Sequence, residues 1–276
     1  MKFNEAIKIL QDNHANNIYD IYVPSLKKSF PWRYMTVAEQ ITLAKMSIDN
    51  NHVSYYKGLM ALIMTTYAGE NFEKDIGIDN LTEIDKMAIL AKIKGNSTTK
   101  DNTRKIKCPE CDESFDLKIK YDKIAKDIVD NINLESVEHI QNIKGVNYKF
   151  ILSWPKMKAN LDIYKWIDKK TKDASEDNQT ELIVDGVYTE IVNIVSNVYI
   201  NDDKIDDYES LSIDDKYLLF KSLPSSLVDE SDDNSLVMCI SKNFNDSLNK
   251  IYNISCPACK KKLKYFIDPE NFFLES

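Results

Sequence analysis

Two short Cys-Pro-x-Cys turns constrain this chain more than any other feature of its sequence. They are Cys108-Pro109-Glu110-Cys111 and Cys256-Pro257-Ala258-Cys259, and 144 residues lie between them. A Cys-x-x-Cys turn places two sulfurs on one side of a tight bend, where both can bind one metal ion, and the proline pre-sets φ for that bend. A zinc ribbon made of one module leaves only about 15–20 residues between its two pairs. A shared ion would therefore join two remote parts of the chain.

The number and pairing of the cysteines favour a metal site over a disulfide framework. The chain has five cysteines, and four of them form the two close pairs. In a reducing cytoplasm such pairs indicate metal binding. Four thiolates in tetrahedral coordination are the usual ligands of structural zinc. We predict one structural zinc ion per chain, bound by Cys108, Cys111, Cys256 and Cys259.

Two alternatives for these thiols remain open from the sequence. They could be free, or one pair could be a redox site of the thioredoxin kind, although neither pair begins a helix in a βαβ unit. An enzyme with a thiolate nucleophile is the corresponding catalytic hypothesis. The fifth cysteine, Cys239, lies between Met238 and Ile240, and we predict that it is a buried, small apolar residue.

Basic residues flank both turns and allow two interpretations. Four thiolates around Zn²⁺ leave a net charge near −2, which nearby cations could offset. The same cations could instead bind phosphate, as in a zinc-ribbon accessory factor that binds nucleic acid. The net charge of −8 argues against a general nucleic-acid binder, so nucleic acid is the less favoured partner. The flanking residues are Arg104, Lys105, Lys107, Lys260, Lys261, Lys262 and Lys264.

The apolar patterning predicts an α+β fold of helices with short antiparallel β-hairpins, in which the two distant cysteine turns form a zinc-ribbon-like site. Hairpins are predicted over residues 106–121, 137–154 and 250–267, and a strand over 18–23. Helices are predicted over 1–10, 36–49, 54–67, 82–95, 157–170, 181–198 and 212–223, and a helix or an irregular segment over 236–248. We expect an N-terminal half, residues 1–130, and a C-terminal half, residues 131–276, that form one unit. Residues 172–179 are predicted to be a linker or mobile loop.

Local signals define several helix ends. Thr36-Val37-Ala38-Glu39 is a capping box, and Ser212 with Asp215 begins a later helix. Gly95 is predicted to be the C-cap of the helix that begins at Thr82. The helix after Thr36 is expected to bury an apolar stripe, formed by Val37, Ile41, Ala44 and Ile48.

Several functional classes lack their sequence signatures. The chain contains no phosphate loop, dinucleotide-binding glycine motif or nucleophile elbow. Its three histidines are scattered, and its paired aspartates lack the spacing of a calcium loop. The chain contains no stretch of about 18 consecutive apolar residues, so no membrane span is predicted. The N-terminus shows no secretory signal. We therefore expect a non-enzymatic protein that stays in the cytoplasm where it is made.

Three stretches in the same order resemble the baseplate hub proteins of T-even-type contractile-tailed bacteriophages. The first runs from Val23-Pro24-Ser25-Leu26 through Phe30-Pro31 to Thr36-Val37-Ala38-Glu39-Gln40. The second is Leu81-Thr82-Glu83-Ile84-Asp85-Lys86-Met87-Ala88-Ile89-Leu90, followed by the first cysteine turn. The third is Leu219-Phe220-Lys221-Ser222-Leu223-Pro224, followed by the second cysteine turn and Asn271-Phe272-Phe273. Together they span nearly the whole chain.

This resemblance implies a role in building the central hub beneath the tail tube. Members of the family are described as hub components or as factors that assemble the hub, and the sequence does not separate these two roles. The resemblance implies other tail and baseplate hub proteins as partners. It also implies a location in the host cytoplasm during assembly and then in the tail baseplate of the virion. Neither role requires a catalytic residue.

Overall fold

The computed structural model of the chain describes residues 5–6, 8–9, 17–48, 51–97, 102–173, 189, 191–229, 231–245 and 253–264. The helix predicted over residues 1–10 lies mostly outside these ranges, although residues 5–6 and 8–9 are helical. The linker predicted over 172–179 also lies outside them after residue 173. None of the helices in the described ranges combines the length and the apolar character that a membrane crossing requires.

The described residues form an α+β fold, as predicted, in which every strand pairing is antiparallel. The strands are β1 Ile18–Val23, β2 Lys28–Arg33, β3 Asn102–Lys107, β4 Ser114–Ile119, β5 Val137–Ile143, β6 Val146–Leu152, β7 Val195–Ile200, β8 Asp203–Lys204, β9 Asn253–Ser255 and β10 Lys262–Lys264. The helices are α1 Val37–Ile48, α2 His52–Thr66, α3 Phe72–Asp75, α4 Glu83–Ser97, α5 Tyr121–Asn131, α6 Met157–Asp173, α7 Ile213–Lys221 and α8 Leu236–Ile240. A π-helical turn over Ser241–Asn245 follows α8.

The chain divides into two compact units. The first combines Met1–Ile132 with Leu248–Ser276, and the second is Asn133–Ser247. The second unit is thus an insertion between two segments of the first. The predicted halves, 1–130 and 131–276, differ from these units mainly at the C-terminus, because the second cysteine turn belongs with the first one.

A buried carboxylate connects two distant segments of the first unit. Asp85, in the first turn of α4, is fully buried. It accepts hydrogen bonds from the backbone N–H of Ser25 at 2.8 Å and from its hydroxyl at 2.6 Å. It also accepts bonds from the N–H and the hydroxyl of Thr82, both at 2.7 Å. The turn between β1 and β2 is thereby held against the start of α4.

The capping box at the start of α1 forms as predicted. The N–H of Glu39 donates to the Thr36 hydroxyl at 3.2 Å, and the N–H of Thr36 donates to the Glu39 carboxylate at 2.8 Å. Arg33 adds a two-pronged ion pair, because its two terminal nitrogens lie 2.7 and 3.0 Å from the carboxylate oxygens of Glu39. This carboxylate therefore joins the end of β2 to the start of α1.

Stability should depend on the ionisation of Glu39. Partial burial acts to raise its pKa, but hydrogen bonds from Arg33 and Thr36 outweigh that effect and lower the pKa of Glu39 to about 2. The stabilisation is then fully present above the unfolded-state pKa and is lost as pH falls through the folded-state value. We expect Glu39→Gln to cost about 1–2 kcal/mol at pH 7 and almost nothing near pH 2. Urea unfolding at both pH values measures this difference. Glu73→Gln, at an exposed glutamate of α3, is the control, and an equal loss at both pH values for Glu39→Gln would contradict the expectation.

The apolar stripe predicted for α1 is wrong at its first two positions. Val37 is 73% exposed, and Ile41 is also exposed. The buried residue is Leu43, because α1 approaches α2 closely at Gly58. A Cβ atom at Gly58 would lie 3.0 Å from Leu43 Cδ2 and 2.6 Å from Met46 Sδ. A glycine in the partner helix thus decides which face of α1 is covered. Of the other two stripe residues, Ala44 is partly buried, and the side chain of Ile48 lies outside the description.

The C-cap predicted at Gly95 is also wrong. Helix α4 continues to Ser97, so Gly95 is an interior helical residue. A Cβ atom at this position would lie 3.2 Å from the Tyr121 Cβ and 3.4 Å from the backbone nitrogen of Asp122. Glycine is therefore suited to this position because the start of α5 approaches closely, and not because the helix ends there.

The second unit is built on a four-stranded sheet in the order β5-β6-β7-β8. The helix predicted over residues 181–198 is wrong from Val195 onward, where β7 begins. Of the preceding positions, residues 191–194 are helical, and 181–188 lie outside the description. The apolar residues of this run recur at a helical spacing, but many of them are β-branched, which favours a strand. The pairing of β7 with β6 makes the segment a strand. Val195 and Val198 are buried in the core of this unit.

Candidate metal centre

The first cysteine turn is the tip of the hairpin formed by β3 and β4. Lys107 pairs with Ser114 at the ends of the two strands. The N–H of Cys108 donates to the carbonyl of Glu113 at 2.8 Å, and the carbonyl of Cys108 accepts from the N–H of Asp112 at 3.0 Å. Asp112 adopts a left-handed conformation with φ of 58°. These bonds fold the backbone back on itself and keep both sulfurs on one side of the turn.

The second cysteine turn repeats this geometry at the tip of β9 and β10. The N–H of Cys256 donates to the carbonyl of Lys261 at 2.9 Å, and the carbonyl of Cys256 accepts from the N–H of Lys260 at 3.0 Å. Lys260 is left-handed, with φ of 63°. Ser255 and Lys262 form the flanking strand pair. Each hydrogen bond and the left-handed residue occur at the same offsets as in the first turn.

The four sulfurs meet, as the sequence analysis predicted. All four lie within 4.8 Å of one another. Cys108 Sγ is 3.8 Å from Cys259 Sγ, and Cys111 Sγ is 3.6 Å from Cys256 Sγ. Tetrahedral ligation with metal–sulfur bonds of about 2.3 Å would place sulfurs about 3.8 Å apart. Both of these contacts join cysteines of different turns, so the two hairpins face each other through their sulfurs.

The cluster is half inside the protein and half at its surface. The first cysteine of each turn, Cys108 or Cys256, is fully buried. The second cysteine of each turn, Cys111 or Cys259, is exposed. A small apolar cluster surrounds the buried pair and consists of Leu263 with the partly buried Phe115 and Ile254. This partial burial holds the sulfurs in place and limits the access of water from one side.

Two of the four thiols, those of Cys256 and Cys111, differ strongly in acidity. Hydrogen bonds from the backbone N–H groups of Cys259 and Ala258 lower the pKa of Cys256 to about 7, against the effect of desolvation. A backbone hydrogen bond at Glu113 acts to lower the pKa of Cys111, but desolvation and hydrogen bonds with the other three sulfurs raise that pKa to about 12. The Cys256 thiolate therefore forms near neutral pH, whereas the proton of Cys111 must be displaced when a cation binds.

Two of the seven basic residues that flank the cysteine turns form ion pairs. Lys261 pairs with Glu110 of the other turn, which raises the pKa of Lys261. Lys107 pairs with Asp112 within the first turn at 2.9 Å. The Lys261 pair adds a second link between the hairpins, beside the sulfurs. Three further lysines are exposed, whereas the other two basic side chains lie outside the description. The exposed ones are Lys105, Lys260 and Lys262, and the other two are Arg104 and Lys264.

Four convergent sulfurs make a site that can hold a metal ion without an open coordination position. Closed four-coordinate sites are structural, whereas catalytic metal sites leave a position for water or substrate. A donor set of sulfur alone fits zinc or iron rather than magnesium or calcium. Within the described residues, this is the group of potential ligands that lies close enough to bind one ion.

Other residues considered in the sequence lie elsewhere. Cys239 belongs to the second unit and is half-buried rather than fully buried. Its sulfur accepts a hydrogen bond from the Asn243 side chain at 3.5 Å because the π-helical turn brings that amide close. His52 is exposed, His139 is buried in the second unit, and His14 lies outside the description.

Two features that support the cluster were not predicted from the sequence. The first is the ion pair between Glu110 and Lys261, which no local pattern reveals. The second is the apolar support from Phe115 and Leu263, each seven residues after the first cysteine of its turn. Comparing equal offsets in the two turns would have found this second feature.

These observations define an α+β scaffold in which a four-cysteine cluster joins an N-terminal and a C-terminal hairpin. A family model described as T4 bacteriophage base plate protein matches residues 15–274, so the chain belongs to this family. The resemblance to T-even baseplate proteins is thereby confirmed. The family indicates a structural, non-enzymatic role in the tail baseplate and other baseplate proteins as partners. No curated protein and no solved structure matches the chain.

Proposed function

We propose that this protein is a structural or assembly component of the baseplate hub of a contractile phage tail. It acts through protein–protein contacts, on a scaffold that one zinc ion stabilises. Cys108, Cys111, Cys256 and Cys259 bind the ion. The single observation that carries the zinc assignment is the meeting of four sulfurs within 4.8 Å of one another, with two of the distances at 3.6 and 3.8 Å. The hub assignment rests on the family and on the ordered sequence stretches described above.

Zinc has a clear physical role at this position. The two turns are 144 residues apart in the chain, and both belong to the first unit. A cross-link that closes a long loop removes much conformational freedom from the unfolded chain. Metal binding is coupled to folding because the unfolded chain offers no preformed site. The ion would therefore hold the C-terminal segment on the first unit.

A nucleic-acid role has less support than protein contacts. Two of the lysines that could bind phosphate already pair with carboxylates, at Glu110 and Asp112. The net charge of −8 opposes the approach of a polyanion. Protein partners have no such requirement for a basic face.

Affinity purification with tail-tip proteins tests the proposal. The tagged protein is produced together with the tail-tip proteins of its phage, and bound proteins are identified with and without prior chelation of metal. We expect recovery of at least one tail-tip protein, and a decrease of about tenfold or more after chelation because the scaffold loses its cross-link. Recovery of none would contradict the hub assignment. Recovery of nucleic acid in a steeply salt-dependent manner would favour the alternative.

A further inference from the structure

The sheet of the second unit has two very different edges. At one edge, β8 is only two residues long, both of them charged. At the other edge, β5 has seven residues and pairs only with β6 among the described strands. Short or charged strands prevent unwanted pairing at sheet edges. The β8 edge has this protection, so the β5 edge is where another strand can be added.

Hydrogen bonds of β6 establish which backbone groups of β5 point outward. Asn147 lies opposite Asn142, yet its carbonyl accepts from the N–H of Asn201 at 2.8 Å and its N–H donates to the Asn201 side chain at 3.0 Å. Both backbone groups of Asn147 thus point away from β5. The Asn142–Asn147 pair is therefore a non-hydrogen-bonded pair, in which both residues direct their N–H and C=O groups outward.

The same alternation holds along the whole edge. The pairs formed by Ile140 and Glu138 are also non-hydrogen-bonded, since each lies two residues further along. The N–H and C=O groups of Glu138, Ile140 and Asn142 accordingly point away from the sheet. In the part of the chain that the structure describes, none of these six groups has a hydrogen-bond partner.

The side chains do not block this edge. Strand β5 contains no proline, and its register with β6 has no bulge. Its central residue, Ile140, is 58% exposed. Its single charge, Glu138, already pairs with Lys149 of β6 at 2.7 Å. A regular strand with an exposed aliphatic residue at its centre is a template for another strand.

We propose that β5 pairs antiparallel with β5 of a second copy of this chain, about a two-fold axis at Ile140. The outward groups of residues 138, 140 and 142 then form six hydrogen bonds, and the two sheets become one of eight strands. The side chains suit this register, because Ile140 faces its own copy and Glu138 faces Asn142. A two-fold interface requires such self-complementarity.

Charges at both ends of the strand also match in this register. In this register Lys144, in the turn after β5, and Glu135 of the second copy, just before its β5, lie at the same end of the paired strands. Both Lys144 and Glu135 are exposed, and neither forms an ion pair within the described residues. The two-fold axis creates this Lys–Glu contact twice. Complementary charge favours the second copy over an unrelated strand.

The expected dimer is weak. An interface limited to one strand edge lies at the small end of specific interfaces, below about 1,200 Å². Dissociation constants in the micromolar range or above are therefore expected, and the rim ion pairs should make association sensitive to salt. The proposal does not depend on the zinc ion or on the hub assignment.

Sedimentation velocity over a series of protein concentrations tests the proposal. We expect a reversible monomer–dimer equilibrium for the full chain. Ile140→Glu should raise its dissociation constant about 100-fold, because two carboxylates then meet at the axis. Within one copy the new carboxylate lies opposite Lys149, so the sheet itself should remain folded. Leu218→Glu, at a 65% exposed leucine of α7, is the matched control and should dimerise like the wild type.

Two further measurements decide the register. On dimerisation, hydrogen exchange should slow at the amides of Glu138, Ile140 and Asn142, while His139 and Gln141 should be protected already in the monomer. Lys144→Glu should weaken the dimer about tenfold, and adding Glu135→Lys should restore it. A chain that stays monomeric throughout the series would overturn the proposal. A dimer that is insensitive to Ile140→Glu, or one without the alternating protection, would also overturn it.

Discussion

Replacing Cys256 by serine is expected to abolish metal binding and to destabilise the first unit by about 5 kcal/mol or more. Structural zinc contributes about 10–16 kcal/mol of apparent binding free energy in small domains, and that energy is folding energy where no site exists in the unfolded chain. Cys256 is one of the four proposed ligands; it is fully buried, and the pKa of its thiol is lowered to about 7. Elemental analysis should find about one zinc per chain in the wild type and almost none in the variant. Chemical denaturation measures the loss of stability.

Cys239→Ser is the matched control for this experiment. It makes the same chemical change at a half-buried cysteine of the second unit, so zinc content should stay at one per chain. A wild-type protein without metal would contradict the zinc assignment. Rapid alkylation of the exposed Cys111 and Cys259 in the native protein would also contradict the zinc assignment, because metal-bound thiolates react slowly. That second result would favour the free-thiol or redox alternatives.

Replacing Asp85 by alanine is expected to cost about 3–5 kcal/mol of folding free energy. The carboxylate is fully buried and accepts four hydrogen bonds, two from Ser25 and two from Thr82. Alanine would leave these four partly buried donors without their acceptor. The turn between β1 and β2 would also lose its connection to α4. Urea denaturation monitored by circular dichroism measures the change.

The chain contains a matched control for this substitution. Asp215 occupies the same position of the same capping pattern, at the start of α7, but it is exposed. Its N–H donates to the Ser212 hydroxyl at 3.1 Å, and its carboxylate accepts from that hydroxyl at 2.6 Å. Asp215→Ala should cost only about 1 kcal/mol, the usual value of an exposed cap. Equal losses for the two variants would show that Asp85 acts only as a local cap and does not hold distant segments together.

Local chemistry was predictable wherever neighbouring residues decide it. The capping boxes at Thr36 and Ser212 form as expected, because each satisfies backbone groups within four residues. The hairpin that carries the first cysteine turn was also predictable, since strict alternation and a proline-containing turn both favour it. Position 112 is less obvious, because a left-handed aspartate is uncommon.

Predictions failed where a distant segment competes with the local preference. Residues 195–198 satisfy a helical period, yet pairing with β6 makes them a strand. Val37 and Ile41 form an apolar stripe along α1, yet both are exposed. Leu43 is buried instead, because it packs against Gly58 of α2. Gly95 resembles a helix end, but it is there because α5 approaches closely. Contact with a second element overrides the local signal in all three cases.

The sequence by itself predicted the four cysteines that come together, because a Cys-Pro-x-Cys turn keeps both of its sulfurs on one side of the bend. It also determined the phage family, through three short stretches in a fixed order. Only the tertiary structure decided that both turns belong to one unit, with the second unit inserted between them. Only the tertiary structure also revealed the hydrogen bonds from Ser25 to Asp85 and the outward direction of the backbone groups along the β5 edge. Such facts depend on which distant surfaces meet, and local conformational preferences carry no information about that.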